Sequence, residues 1–208
     1  MVYLVTVRET AAAKTTKKTG PAKVQKRRSP ISREEGERRL ANAARELVQT
    51  RPFSEVSVRD IAELADVNHG FVHTWFGSKN DLLARVAQDL LQEISKEAET
   101  AAPGEPAVAL FDPRIQLAVR MLLWLNLEGY DSRKGINLVI LDALRRRYHE
   151  TDGLSASDAE TAAIIIAALG MGVGAFAPIF GSDPKVDLNS VFPMWRHILG
   201  LLAKHPYQ

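Results

Sequence analysis

From Ser32 onward, apolar residues recur three and four positions apart, and a small polar residue stands where each such run begins. Leu40, Ala43, Ala44, Leu47 and Val48 mark one face of a first helix, the spacing of an element buried on one side. Ser32 and Glu35 form a Ser-x-x-Glu capping box at its start, with Ile31 placed to staple the first turn. Arg51-Pro52 stops it near Thr50, because proline pushes the preceding residue out of helical geometry. Ser57-x-x-Asp60 opens a short second helix with Val58, Ile61, Ala62 and Ala65 inward. Asp66 suits the left-handed turn that follows. Asn68 caps a third helix running to about Phe76, and Ser78-x-x-Asp81 starts a fourth, at 79–98, that buries Leu82, Leu83, Val86, Leu90 and Ile94. Residues 100–113 read as loop. Further helices are predicted at about 113–128, 133–149, 157–180 and 187–203, the third of these opened by Ser157-x-x-Glu160. Gly129, Thr151–Ser155 and Gly181–Pro184 separate them. No alternating strand pattern competes, so the predicted class is all-α.

Composition narrows the classes. The 208 residues are 46% apolar and 25% charged, enough for one helical globule with a small appendage but short for most two-domain enzymes. The absence of cysteine excludes a disulfide scaffold, cysteine-held zinc, an iron–sulfur centre and a thiol nucleophile. No long apolar run follows Arg8 in residues 1–10, so no secretory signal is expected and the expected location is the cytoplasm. The net charge of +2 hides an asymmetry: residues 1–30 carry +7, residues 31–81 carry −2 and residues 82–208 carry −3. A Thr-, Ala- and Lys-rich stretch without apolar period cannot offset its ordering entropy, so 1–30 is expected to be a disordered basic tail. Such tails act as phosphate-seeking arms or as plain leaders, and the sequence leaves both open.

Two short helices joined by about three residues, the second with a polar outer face, have the shape of a helix-turn-helix. In the third helix Val72, Trp75 and Phe76 stand at i, i+3 and i+4 and are expected to pack inward. Asn68, His69, Phe71, His73 and Thr74 are left to face outward, a mostly polar, non-acidic surface suited to a major groove.

The stretch Val58-Arg59-Asp60-Ile61-Ala62 through Val67, then Gly70 through Trp75-Phe76-Gly77-Ser78-Lys79 and Leu82-Leu83, resembles the DNA-binding domain of TetR-family transcriptional regulators over about residues 33–90. The resemblance implies a helix-turn-helix domain at 31–78 and a helical effector-binding and dimerisation domain at 79–208. It implies a homodimer on a palindromic double-stranded DNA operator, released by a small molecule that shifts the fourth helix as a lever. By the same resemblance, the positions of Ser57, His73 and Lys79 touch phosphates, while Arg59, His69, Phe71 and Thr74 approach bases, with Asn68 beside them. Three residues depart from the family pattern: Asp66 replaces a common glycine, His73 a common tyrosine, and Phe71 a small residue. Phe71 has two readings, contact with a thymine methyl or packing against the fourth helix.

Other patterns read more simply as structure. His69 and His73 have zincin spacing, but Gly70 stands where the general-base glutamate belongs and no third ligand suggests itself, so no metal is expected. Residues 161–180 lack charge and are long enough to span a bilayer. Nine of them are Ala or Gly, however, which suits a helix buried between a cavity and a partner better than a membrane span. Gly170-x-Gly172-x-x-Ala175 with Asp187 imitates a dinucleotide fingerprint, but it lies inside a predicted helix, and glycines for close helix approach are the better account. Arg145-Arg146-Arg147 ends a helix, where cations favour the dipole, and reads as a solvated face.

A mostly apolar pool with a few polar groups (Met121, Trp124, Leu125, Leu141, Leu169, Met171 and Phe176 with Asn126 and Asn137) fits a pocket for an apolar or amphipathic effector. An ordinary core helix has the same look. The last two helices, the second carrying Leu188, Val191, Phe192, Trp195, Ile198, Leu199 and Leu202, are expected to form a four-helix dimer interface. No nucleophile–base constellation stands out and no cofactor is expected, so a regulator is favoured over an enzyme using the C-terminal helices. A repressor is the first reading and an activator or ligand-independent regulator the second.

Overall fold

The computed structural model describes residues 31–102, 112–131, 138–180 and 190–207, and these are helix and turn without a strand. The tail at 1–30, most of the loop at 100–113, residues 133–137 (Asn137 among them) and residues 187–189 lie outside the described residues.

Small polar caps set the helix starts. Helix α1 (Arg33–Thr50) begins where Ser32 Oγ accepts from the Glu35 N–H at 3.2 Å. Only half of that capping box forms, because the Glu35 carboxylate accepts from Arg38 and Arg39 instead. Both halves form at α2 (Val58–Leu64), between Ser57 and Asp60. Asn68 Oδ1 accepts from the Gly70 N–H at 2.9 Å at the head of α3 (Gly70–Trp75), and Ser78 caps α4 (Lys79–Thr100). Helices α5 (Pro113–Leu127), α6 (Val139–Arg146), α7 (Ala156–Phe180) and α8 (Val191–Lys204) follow, with a π turn over Arg147–Thr151.

Three boundaries differ from expectation. Leu138 is outside the helix, so α6 begins later than the predicted 133. The helical run predicted to 149 changes to π geometry at Arg147. Helix α7 is capped by Ser155, whose Oγ accepts from the Asp158 N–H at 3.1 Å and donates to Asp158 Oδ2 at 2.8 Å. The predicted cap Ser157 lies two residues too late, already within the helix.

Helix α4 is the common wall, in contact with α1, α3, α5 and α6. At its start, Leu82 and Leu83 are fully buried, as are Leu40 and Val48 of α1, Ile61 of α2 and Val72 of α3. Further along, its acidic residues hold arginines from three other helices. Arg45 of α1 donates to Glu93 at 3.0 Å, Arg114 of α5 makes two bonds to Glu97 at 2.6 Å, and Arg146 of α6 pairs with Glu99. Arg147 is buried, not solvated: it donates to the carbonyls of Ala98, Ala101 and Ala102 at 3.3, 2.6 and 2.7 Å. Those carbonyls end α4 and lack helical partners of their own.

A second core gathers Leu144, Tyr148, Leu154 and the inner face of α7, and Val191, Phe192, Trp195, Leu199 and Leu202 of α8 pack against it. The α8 residues expected between two copies are thus turned mostly into their own chain. On α7 the opposite stripe is open, with Ile164, Ile165, Leu169, Met171 and Phe176 exposed. Met194 and Leu201 of α8 are exposed as well. Helix α7 has one stretch, Ala156–Phe176, long and apolar enough to cross a membrane, yet Ala162, Ala163, Ile166 and Val173 within it are buried in the chain.

Candidate nucleic-acid interface

The turn from α2 to α3 is built by backbone geometry. Asp66 takes φ of +51°, the left-handed conformation expected of it. Val67, buried beside it, returns its N–H to the Ala62 carbonyl at 2.9 Å. Val72 is completely buried and anchors α3, with Trp75 and Phe76 half-buried at its sides. Gly77 ends the helix at φ +96°, and its N–H reaches back to the carbonyls of Val72 and His73.

This anchoring leaves Asn68, His69, Phe71, His73 and Thr74 exposed together. Thr74 Oγ1 donates to the Gly70 carbonyl at 3.1 Å. His73 Nδ1 lies 3.2 Å from the Gly77 carbonyl; a carbonyl only accepts, so the bond needs the hydrogen on Nδ1 and leaves Nε2 free to face outward. Phe71 stacks flat on Trp75 of its own helix, ring centroids 4.3 Å apart, and stays 40% exposed. Ser57 is exposed and engaged in the α2 cap, and Arg59 is exposed on α2 itself. The Asp60 carboxyl, holding both Ser57 groups and Arg51, is drawn below its ordinary range, first by the Ser57 backbone N–H.

Lys79 sits differently from these seven. Its ammonium donates to the carbonyls of Phe53 and Val56, at 2.9 Å each, and lies 5.0 Å over the Trp124 ring. Two of its three donors are therefore engaged within the protein. Burial pushes this amine down, and Glu128 opposes the shift. Nearby, Tyr130 donates its hydroxyl to Asp81 Oδ1 at 3.1 Å, and its phenol is pushed up by burial and then by Asp81.

The residues expected around an effector do not converge. Met121 and Leu125 are fully buried on α5 and Leu141 is half-buried on α6. Trp124 turns instead to Phe53, 5.9 Å between centroids, and to Lys79. Asn126 is exposed, and Leu169, Met171 and Phe176 lie on the open stripe of α7. Helical spacing distinguishes a buried-type residue from a polar one, but not which side of a wholly apolar helix meets its own chain. Phe53 was missed as a partner. Its one legible signal is an aromatic residue inside the turn from Pro52 to Glu55, where burial needs a neighbour from elsewhere. Among the described residues no group of three or more His, Cys, Asp or Glu side chains could hold a metal ion.

Residues 40–86 match the family model of bacterial regulatory proteins of the tetR family. The HTH-type transcriptional repressor Rv3405c of Mycobacterium tuberculosis is 31% identical over 170 residues, covering 81% of this chain and 87% of that protein. The HTH-type transcriptional regulator Mb3439c of Mycobacterium bovis matches to the same extent. Among solved structures, the TetR family repressor AlkX from a Dietzia strain, implicated in biodegradation of n-alkanes, shares the fold. Its TM-score is 0.50 at 21% identity, over 81% of this chain and 94% of that one. Each of these relatives is named as a transcriptional regulator or repressor. The capped α2–turn–α3 unit, the all-helical body and these matches together make this chain a member of the TetR family of DNA-binding, helix-turn-helix transcriptional regulators.

Proposed function

We propose that the protein is a cytoplasmic, homodimeric repressor that leaves a palindromic operator when a small apolar or amphipathic molecule binds. The observation that carries this reading is the outward face of α3, where Asn68, His69, Phe71, His73 and Thr74 are exposed around a buried Val72. In it Arg59, Asn68, His69, Phe71 and Thr74 meet base edges, while Ser57 and His73 meet phosphates. The name of the M. tuberculosis relative supports repression. Residues 31–78 would read DNA and residues 79–208 would dimerise and bind the effector, with Met121, Leu125 and Leu141 nearest to it. Leu169, Met171 and Phe176 are better suited to the dimer face. Two reading helices must enter successive major grooves about 34–36 Å apart. A ligand that prefers a splayed dimer releases the DNA in proportion to that preference.

Mobility shift with duplexes from the flanks of the protein's own gene tests the base reading. Arg59→Ala or His69→Ala is expected to cost ~1–3 kcal/mol and relax preference at particular base pairs. Equal affinity for native and shuffled duplexes would defeat the reading.

A further inference from the structure

The end of α5 is fastened to the start of α4 from two sides. Gly129, at φ +75°, turns the chain back so that Tyr130 N–H donates to Leu125 O and Gly129 N–H to Asn126 O, the closed form of a helix C-terminus. That turn aims the Tyr130 hydroxyl at Asp81, whose other oxygen accepts from Ser78. One turn earlier, Trp124 presents its ring to the Lys79 ammonium and to Phe53, and Arg120 lies 5.6 Å over the Phe53 ring. Lys79 in turn bridges to the Phe53 and Val56 carbonyls, immediately before the Ser57 cap of α2.

An ammonium committed to two carbonyls and an aromatic face cannot move to a phosphate without leaving those carbonyls unpaired. We propose that Lys79 serves DNA binding as a positioning residue and not as a phosphate ligand. With Trp124 and Tyr130 it pins the start of α4 and the Phe53–Val56 turn to the end of α5, so that the C-terminal helices set where α2 and α3 are held. The proposal rests on the DNA-binding reading of α3 and assigns a route by which the rest of the chain controls it.

Salt dependence separates the two roles, because each lost phosphate contact lowers the log–log slope by about 0.9 per protomer. The probe is a duplex recovered from a random-sequence library by capture on the full-length protein. Lys79→Met and Trp124→Leu are each expected to weaken its binding about tenfold, with the double variant about as weak as either single one, since the two act through one contact. The salt slope stays at its wild-type value. Lys79→Arg, which keeps the charge, is expected to fail like Lys79→Met, because a flat guanidinium does not reproduce an ammonium shared by two carbonyls. Tyr130→Phe removes only the hydroxyl and gives a smaller loss, again at constant slope. Should Lys79→Met fail to fold by circular dichroism, Lys79→Arg and Tyr130→Phe decide the matter. A reduced slope with affinity restored by Lys79→Arg would make Lys79 a phosphate ligand and overturn the proposal, as would unchanged affinity or multiplying losses. If wild-type protein recovers no preferred duplex, the DNA-binding reading itself fails and the proposal with it.

Discussion

Single residues set the frame of the reading unit, and the clearest is Gly77. Its φ of +96° belongs to a region L side chains rarely adopt, and an added Cβ would lie 3.1 Å from Asp81 Oδ2. That carboxylate cannot swing away freely, since Ser78 and Tyr130 both donate to it. Gly153, at φ +76° with nothing within 4 Å of an added Cβ, is the matched control. Gly153→Ala is expected to cost ~1–2 kcal/mol from backbone geometry alone, and Gly77→Ala more than that. Urea denaturation of both variants checks the order; equal losses would mean that the Asp81 contact adds nothing. At this scale the sequence was legible wherever chemistry is local. Ser57 and Asp60 are three residues apart and cap as expected, and Asp66 turns as expected. Lys79 was not legible, because its partners Phe53 and Trp124 lie 26 residues before and 45 residues after it in the chain.

Elements show the same limit one level up. Helices α1, α2, α4 and α5 start at or next to the expected residues because a side-chain cap stands there, joined at α5 by Pro113, whereas α6 starts at Val139 with no side-chain cap bond. Nor does any local pattern mark the π turn, whose Arg147 is drawn inward to carbonyls in the last turn of α4 and just beyond it, 45–49 residues away. The glycines of α7 were expected to permit close helix approach, and they divide on this point. A Cβ on Gly174 would stand 2.9 Å from Val119 Cβ of α5, while one on Gly172 would meet nothing within 4 Å. Opposite signs follow. Gly172→Ala is expected to stabilise the protein by up to ~1 kcal/mol through helix propensity. Gly174→Ala is expected to destabilise it by ~1–3 kcal/mol through overpacking, and Val119→Ala in the same chain should recover part of that loss. Thermal melts of the three variants test this, and a stabilising Gly174→Ala would show that α5 and α7 yield easily.

For the whole molecule, the open question is what covers the apolar stripe of α7. An uncharged, apolar run identified α7 as a buried element and apolar spacing identified α8, but burial against the same chain and burial against a second copy leave the same pattern. The fold divides them: Trp195 donates its Nε1–H to the Tyr148 hydroxyl at 3.2 Å and packs into the chain's own core, while Ile165 is 49% and Met194 61% exposed. Contiguous exposed apolar surface of this kind marks an interaction face, and homodimer interfaces are rich in such groups. The substitutions that separate the two kinds of burial are therefore different ones. Ile165→Asp with Met194→Asp is expected to give a folded monomer by light scattering, with native helicity and loss of operator binding, because two half-sites are no longer held together. Trp195→Asp is expected to unfold the C-terminal helices instead, since it strips a core contact and leaves the buried Tyr148 hydroxyl without its donor. That phenol is already pushed up to about 12, chiefly by burial, so ionisation offers it no relief at neutral pH. A double Ile165→Asp, Met194→Asp variant that still scatters light as a dimer would move the interface elsewhere on the surface.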